Sequence, residues 1–443
     1  MGAGPGSRET LLACWRSALD AVGAGSALER SLESDPPDPG ADSGGVWLLA
    51  LGKASVPMAR AAEARAGARL RDGLVVTKDG HGGGGLRSPV LEASHPVPDA
   101  RSERAGRAAL ARAGAVAPDG RLWVLLSGGA SSLLTRPLPG LTLDDVARTT
   151  RRLLEAGADI DELNTVRKHL TAVSGGRLAR AAGGRPIDVR VVSDVPGDRL
   201  DLIASGPCAP DPSRFADARA VLAARGADEL WPEAVRAHLE AGARGEREES
   251  PKPGDPVFAR VRHTIVASNA DARAAALAEA RRRGLAAVDL GECLEGEARD
   301  AARELVRQAR ARRRAEPLVA VAGGETTVTV LGDGLGGRSQ ELALAAALEL
   351  NGEDGIGVLA VGTDGTDGPT DAAGAYADPG SAQRGRRAGV DPVKSLERND
   401  AYGFFDREGG IVRSGPTGTN VMDLVLIYVD ALPARTPPVK AGR

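Results

Sequence analysis

Short apolar runs, nearly all closed by Gly, Ser, Thr or Asp, alternate along the chain with longer stretches in which Ala, Arg and Glu recur at helical spacing. The runs VWLLAL (46–51), GLVVT (73–77), LWVLLS (122–127), VRVVS (189–193) and HTIVAS (263–268) predict strands in the first part of the chain. PLVAVAG (317–323), TTVTVL (326–331), GIGVLAVG (355–362) and DLVLIYV (423–429) predict strands in the second. Strands alternating with amphipathic segments imply an α/β fold of two domains, each a mainly parallel sheet flanked by helices. In EAGARGEREESPKPGDPV (240–257), charge, Gly and three prolines replace any apolar period, so the boundary is expected there, between domains 1–245 and 246–443. ESDPPDPGADSGG (33–45) is expected to be an exposed loop ahead of the first strand.

Composition narrows the partners. Hydrophobic residues make up 42% of the 443 residues and aromatics 2%, so the core must be built from Ala, Val and Leu. Lys and Arg number 57 against 60 Asp and Glu, a net charge of -3 that leaves no basic excess for nucleic acid. The Arg cluster near residue 311 belongs to ARDAARELVRQARARRRAE, whose interspersed acids mark the solvated face of a helix. No apolar stretch approaches the roughly 18 residues of a membrane span, and MGAGPGSRETLLACW lacks a signal-peptide core, so a cytoplasmic protein with no membrane partner is expected. Cys14, Cys208 and Cys293 form no CxxC pair and are expected to be small buried hydrophobes. The chain is compatible with a homo-oligomer.

The polar loops at the strand ends hold the chemistry, because open α/β sheets bind ligands beyond the carboxyl ends of their strands. Lys53 in LALGKAS fails the Walker pattern, since Trp47 and Ala54 stand where Gly and Ser/Thr belong. It is either a strand-end cation for phosphate or a surface lysine. LLSGGASSLLTR offers Ser127, Gly128, Gly129, Ser131 and Ser132 as a cradle for phosphate or carboxylate, or simply a tight turn. In DELNTVRKHLTAVSGGRLA, Leu163, Val166, Leu170 and Val173 form an apolar stripe, while Asn164, Arg167, Lys168 and Thr171 share a polar side that can face a ligand. Asp194 and Asp198 follow a strand, where an aspartate can ligate Mg²⁺ or cap a turn. Gly332, Gly334 and Gly337 match G-x-G-x-x-G, but without the usual downstream acid, and Arg338 and Glu341 behind them suit a clamp better than a dinucleotide site. GTDGTDGPTDAAG (362–374) crowds three aspartates together, with Asp364 expected to tie down the turn and Asp367 or Asp371 to bind Mg²⁺ or orient a hydroxyl. Carboxylates for Mg²⁺, phosphate-cradling amides, a Lys and an Arg are the equipment of phosphoryl transfer.

GKAS, SHPVPDARS, LLSGGASSLL, LNTVRKHLTAVSGGRLA, SDVPGD, ASGP, GGETTV, GGRSQE, GTDGTDGPTDAAGA and GPTGTNVMDL occur in this order over almost the whole chain. Together they resemble the glycerate 2-kinases, which join an amino-terminal Rossmann-like domain to a carboxyl-terminal MOFRL domain. The resemblance implies transfer of the γ-phosphoryl of ATP to the 2-hydroxyl of D-glycerate, with Mg²⁺, in a cleft between the domains. It implies catalytic roles for Lys53 and Arg338. The nucleotide, phosphate or substrate is expected at Ser127, Gly128, Gly129, Ser131, Ser132, Asn164, Lys168, Glu325 and Glu341, and the metal at Asp194, Asp367 and Asp371. NDAYGFF and GTNVMDL depart from the expected NDSYTFF and GTNVNDL at Ala401, Gly403 and Met422, and Cys208 is also unusual. The competing expectation is an oxidoreductase acting on hydroxypyruvate, whose one local support is the Gly332–Gly337 match.

Overall fold

The computed structural model describes residues 6–36, 44–350 and 355–431. It divides into two compact units, Ala24–Ser268 and Met1–Gly23 together with Asn269–Arg443.

The first unit is built on six strands, β1 (Val46–Leu51), β2 (Leu70–Lys78), β3 (Val90–Ala93), β4 (Arg121–Leu126), β5 (Ile187–Val192) and β6 (Val261–Ala267). They form an all-parallel sheet in the order β3-β2-β1-β4-β5-β6, so the order reverses between β1 and β4. Such a sheet is covered on both faces, which is why β4 and β5 are buried at every position. Leu49, Leu74, Val124 and Val189 lie in one core with the Ala105, Ala109 and Ala113 face of helix Ala100–Gly114. A second cluster joins helices Leu143–Glu155, Ile160–Lys168, Phe215–Arg225 and Glu233–Ala243 through Leu153, Leu163, Phe215, Leu222 and Leu239.

The second unit contains β7 (Ala286–Leu294), β8 (Leu318–Gly324), β9 (Ile356–Gly362), β10 (Gly374–Ala377), β11 (Ile411–Val412) and β12 (Asp423–Val429), in the order β11-β10-β9-β12-β8-β7. Only the β7–β8 pair is parallel. The expectation of a mainly parallel second sheet is therefore corrected to a mixed sheet. β12 enters between β8 and β9 and runs against both, and β10 turns back along β9. DLVLIYV is apolar throughout because β12 is central and covered, and a continuous apolar run carries no sign of direction. Helix Ser7–Val22 packs on helix Asn269–Arg282 and touches β9 and β12, burying Leu11, Cys14, Trp15, Ala18 and Val22.

The division between units falls at 268/269 rather than 245/246, because β6 lies beyond the proline-rich segment and completes the parallel sheet beside β5. That segment is itself tied down: Ser250 donates to Asp211 at 2.7 Å and Glu249 accepts from the Phe215 N–H at 3.1 Å. TTVTVL is not a strand. Thr327 makes one isolated bridge to Glu297, and Val330 and Leu331 are exposed. β3, β7, β10 and β11 arise from segments with no long apolar run. Cys14 and Cys208 are buried as expected, but Cys293 is exposed on the sheet-edge strand β7. The expected loop at 33–45 lies mostly outside the described residues.

Candidate active site

At the reversal of strand order, the loops after β1 and β4 are locked together. Gly52 has φ +119°, and a Cβ there would drive into the Ser127 carbonyl and hydroxyl, so only glycine allows this approach. The Lys53 N–H donates to Gly128 O at 2.9 Å, and the Ala54 N–H donates to Ser127 Oγ at 3.0 Å. Ser127 is thus a buried tie between loops. Gly129, at φ +83°, sits against the His95 ring and the Lys53 stem; a Cβ there would lie 3.0 Å from His95 Cδ2 and 3.4 Å from Lys53 Cγ. Ser132 donates to Gly129 O at 3.1 Å, and the Ser131 and Ser205 hydroxyls share a hydrogen bond at 2.8 Å. Burial pulls the His95 pKa down to about 4, assisted by the positive charges of Lys53, Lys78, Arg167 and His81. The imidazole is therefore neutral at pH 7 and retains a lone pair beside a cationic cluster.

Helix Ile160–Lys168 begins with a capping box between Asp159 and Glu162. Leu163, Val166, Leu170 and Val173 are all buried, as their spacing predicts, although the helix ends at Lys168. The polar side turns inward. Asn164 donates to Ile160 O at 2.9 Å and accepts from Ser205 at 2.5 Å. Lys168 is 2% exposed and lies between Asp201 at 3.2 Å and Asp211 at 3.4 Å, so its charge is neutralised internally. Burial would raise the Asp211 pKa, but Lys168 with the Ser213 and Ser250 hydroxyls brings it below the usual carboxylate range. His169 is packed, 4.7 Å from the Phe215 ring centroid, with Nδ1 bonded to Thr165 O. Asp194 is half-buried just past β5.

In the mixed unit, β12 brings Asp423 between Gly324 at the end of β8 and Gly362 at the end of β9. Arg338, the first residue of helix Arg338–Glu349, donates to both Asp423 oxygens, at 2.5 and 3.0 Å, and pairs with Glu325 at 2.5 Å. Burial acts to lower the Arg338 pKa, but Asp423, Glu325 and Asp367 outweigh it and hold the pKa above its ordinary value. Asp367 caps the same helix: one oxygen accepts from Ser339 N–H at 3.1 Å, the other from Gln340 N–H at 2.8 Å. Burial, then repulsion from Asp423, pushes the Asp367 pKa up to about 6. Glu341 accepts from Arg299 at 2.7 Å and from Asn399 at 2.9 Å, while Asn399 Oδ1 takes the Leu331 and Gly332 N–H groups. Glu341 therefore supports the glycine loop from beneath. Asp371 is exposed and engaged by Tyr402 at 2.9 Å and Arg413 at 3.0 Å. Asp364 takes the Thr366 N–H at 2.9 Å, tying down the turn.

These partnerships do not fit a metal centre held by the protein. Both Asp367 oxygens are occupied by backbone amides and both Asp371 oxygens by Tyr402 and Arg413. Among the described residues no three His, Cys, Asp or Glu side chains are grouped to hold an ion. Of the expected set, Asp194 belongs to the parallel unit and Asp367 and Asp371 to the mixed one.

Residues 10–240 match a family model described as a domain of unknown function (DUF4147), and residues 318–423 match the MOFRL family. A glycerate 2-kinase of Pyrococcus horikoshii is 42% identical over 399 residues, 89% of each chain. The chain belongs to the glycerate 2-kinase family. A solved structure of a glycerate kinase from Thermotoga maritima superposes with a TM-score of 0.85 at 37% identity, covering 96% of this chain and 100% of that one. A family relative from Agrobacterium vitis, 43% identical over 86% of each chain, carries a provisional hydroxypyruvate reductase name. Sequence reasoning missed Asp423, the partner of Arg338, and His95, the neighbour of Lys53. An acid opening an apolar strand run and a histidine in SHPVPDARS were the available signals. No helix among the described residues is long and apolar enough to cross a membrane.

Proposed function

We propose that the chain transfers the γ-phosphoryl group of ATP to the 2-hydroxyl of D-glycerate. The 2-oxygen bonds to the γ-phosphorus as the bond to the β–γ bridging oxygen breaks, giving 2-phosphoglycerate, ADP and a proton. The observation that carries this reading is Lys53 beside the Gly128–Gly129 turn at the reversal of strand order, a cation where such sheets take their ligands. The names of the family relatives supply the reaction. In this proposal the Lys53 ammonium offsets charge on the phosphoryl oxygens. Arg338, fixed by Asp423 and Glu325, is a preoriented cation of the mixed unit and a second candidate for that role. Mg²⁺ enters as part of the Mg·ATP substrate.

The reductase reading is disfavoured by Asp367. A dinucleotide pyrophosphate would need the amides at the start of helix Arg338–Glu349, and the Asp367 carboxylate already takes those of Ser339 and Gln340. Incubating the protein with D-glycerate and Mg·ATP, then separating 2- from 3-phosphoglycerate, tests the proposal. Formation of the 2-isomer is expected, with no NADH oxidation on hydroxypyruvate. Sole formation of the 3-isomer, or no ATP consumption, would remove it.

A further inference from the structure

Most buried charged side chains of the parallel unit have partners among the described residues. Lys168 has Asp201 and Asp211, and Arg190 has Asp188 and Asp35. Arg177 donates to Lys168 O at 2.7 Å. Arg167, in the last turn of helix Ile160–Lys168, is half-buried, yet its guanidinium makes no ion pair or hydrogen bond with any other described residue. Desolvation alone brings its pKa down to about 10, with no carboxylate close enough to offset it. A guanidinium partly withdrawn from water with no counter-ion loses solvation that a bound anion would replace.

What Arg167 faces is specific. It lines a small cavity with Ser131, Ser132, Thr171, Ser174 and Ser205, whose hydroxyls are aligned by bonds such as Ser131–Ser205 and Thr171–Ser174, each at 2.8 Å. Among the described residues no acidic side chain lines it. Ser131 also belongs to the turn that carries Gly129, against which the Lys53 stem and His95 ring rest. The cavity is therefore continuous in chain with the phosphoryl-handling loop and shares its positive field.

We propose that Arg167, with the Ser131 and Ser205 hydroxyls, binds the carboxylate of the 2-hydroxy acid substrate. A guanidinium presents two parallel N–H groups that match the two carboxylate oxygens. The cavity is too small for a triphosphate and offers side-chain hydroxyls where a phosphate cradle would offer consecutive backbone amides. Anchoring the carboxylate here puts the adjacent 2-carbon towards Gly129 and Lys53. The acceptor class is then a short 2-hydroxy acid, and an uncharged polyol lacks the anchoring group. This inference rests on the kinase reading for the identity of the acid, and the test keeps the two apart.

Titration calorimetry of the full chain with D-glycerate, glycolate, glyceramide and, separately, Mg·ATP reads binding without turnover. The wild type should bind the two acids and discriminate against the uncharged amide. Arg167→Gln should weaken both acids by roughly a hundredfold, erase the preference over glyceramide, and leave Mg·ATP within about twofold. Arg167→Lys, which keeps the charge without the fork, should lose roughly tenfold and serves if the Gln variant does not fold. In steady state the Gln variant should raise KM for glycerate far more than it lowers kcat. Unchanged acid binding in both variants, loss of Mg·ATP binding instead, or a wild type that binds neither acid would each overturn the proposal. Failure of the kinase reading alone appears differently, as a wild type that binds acids through Arg167 but forms no 2-phosphoglycerate.

Discussion

Lys53 and Arg338 are both cations beside polar loops, but their surroundings make them different probes. Lys53→Ala removes the ammonium and leaves the Lys53 N–H bond to Gly128 in place, so kcat for glycerate phosphorylation should fall about a hundredfold or more, with a smaller change in KM. Near-normal turnover would remove Lys53 from the reaction. Arg338→Ala is a poorer probe, because it also removes the ion pairs to Asp423 and Glu325 and so changes the local fold as well as the charge. Asp367 also gives a pH signature. Its folded pKa of about 6 lies above the ordinary aspartate value, so its stabilising contribution is full below the unfolded pKa and is lost as pH rises through the folded one. That difference corresponds to at most about 3 kcal/mol. Asp367→Asn should therefore compare better with the wild type at pH 7.5 than at pH 4, as the gap between their thermal midpoints shows. A pH-independent gap would mean that the cap is ionised with no penalty. Met422 is a quieter residue-scale feature: it holds φ +67°, a conformation that Asn, the residue expected from the resemblance at this position, tolerates better than Met.

The 362–374 loop shows what a sequence can and cannot disclose about an element. Its three aspartates announced that something positive or donating must face them, and the turn-closing role of Asp364 was legible from the Gly-rich spacing. The partners of the others were not. Ser339 and Gln340 are backbone donors 28 and 27 residues away from Asp367, and Arg413 is 42 residues from Asp371, so local pattern carried no trace of them. Asp371→Asn should leave the Mg²⁺ dependence of turnover at its wild-type value and cost little stability, since its bonds are solvent-exposed. A raised Mg²⁺ requirement, measured by titrating the metal at fixed ATP, would restore this loop to the metal. Strands followed a similar division. β1, β4 and β5 were readable because central parallel strands are apolar on both faces, whereas TTVTVL imitated the period-two pattern of a strand yet lies largely in solvent. The antiparallel sense of β12 was not readable, since burial on both faces erases the alternation that would have distinguished the mixed sheet.

At the scale of the molecule, the parallel unit has its own sheet and two clusters of buried apolar side chains, while the mixed unit draws part of its cover from the distant helix Ser7–Val22. Residues 24–268 expressed alone should unfold in a single cooperative transition. Residues 269–443 alone should lose about 10 °C or more in thermal midpoint against the same segment joined to residues 1–23 by a flexible linker, because Leu11, Trp15 and Val22 each bury a large apolar side chain. Equal midpoints, read by circular dichroism, would show that the helix contributes no stability. The same helix also sets an order of events during synthesis. It is made before Ala24–Ser268, whereas helix Asn269–Arg282 and strands β9 and β12, on which it packs, are made only after the whole of that unit. At about 5–20 residues per second its apolar face waits on the order of tens of seconds for its partners. Throughout that interval the nascent chain carries an unpartnered amphipathic helix, and a holdase chaperone recognising exposed Leu and Trp would find a binding site here that the finished enzyme conceals.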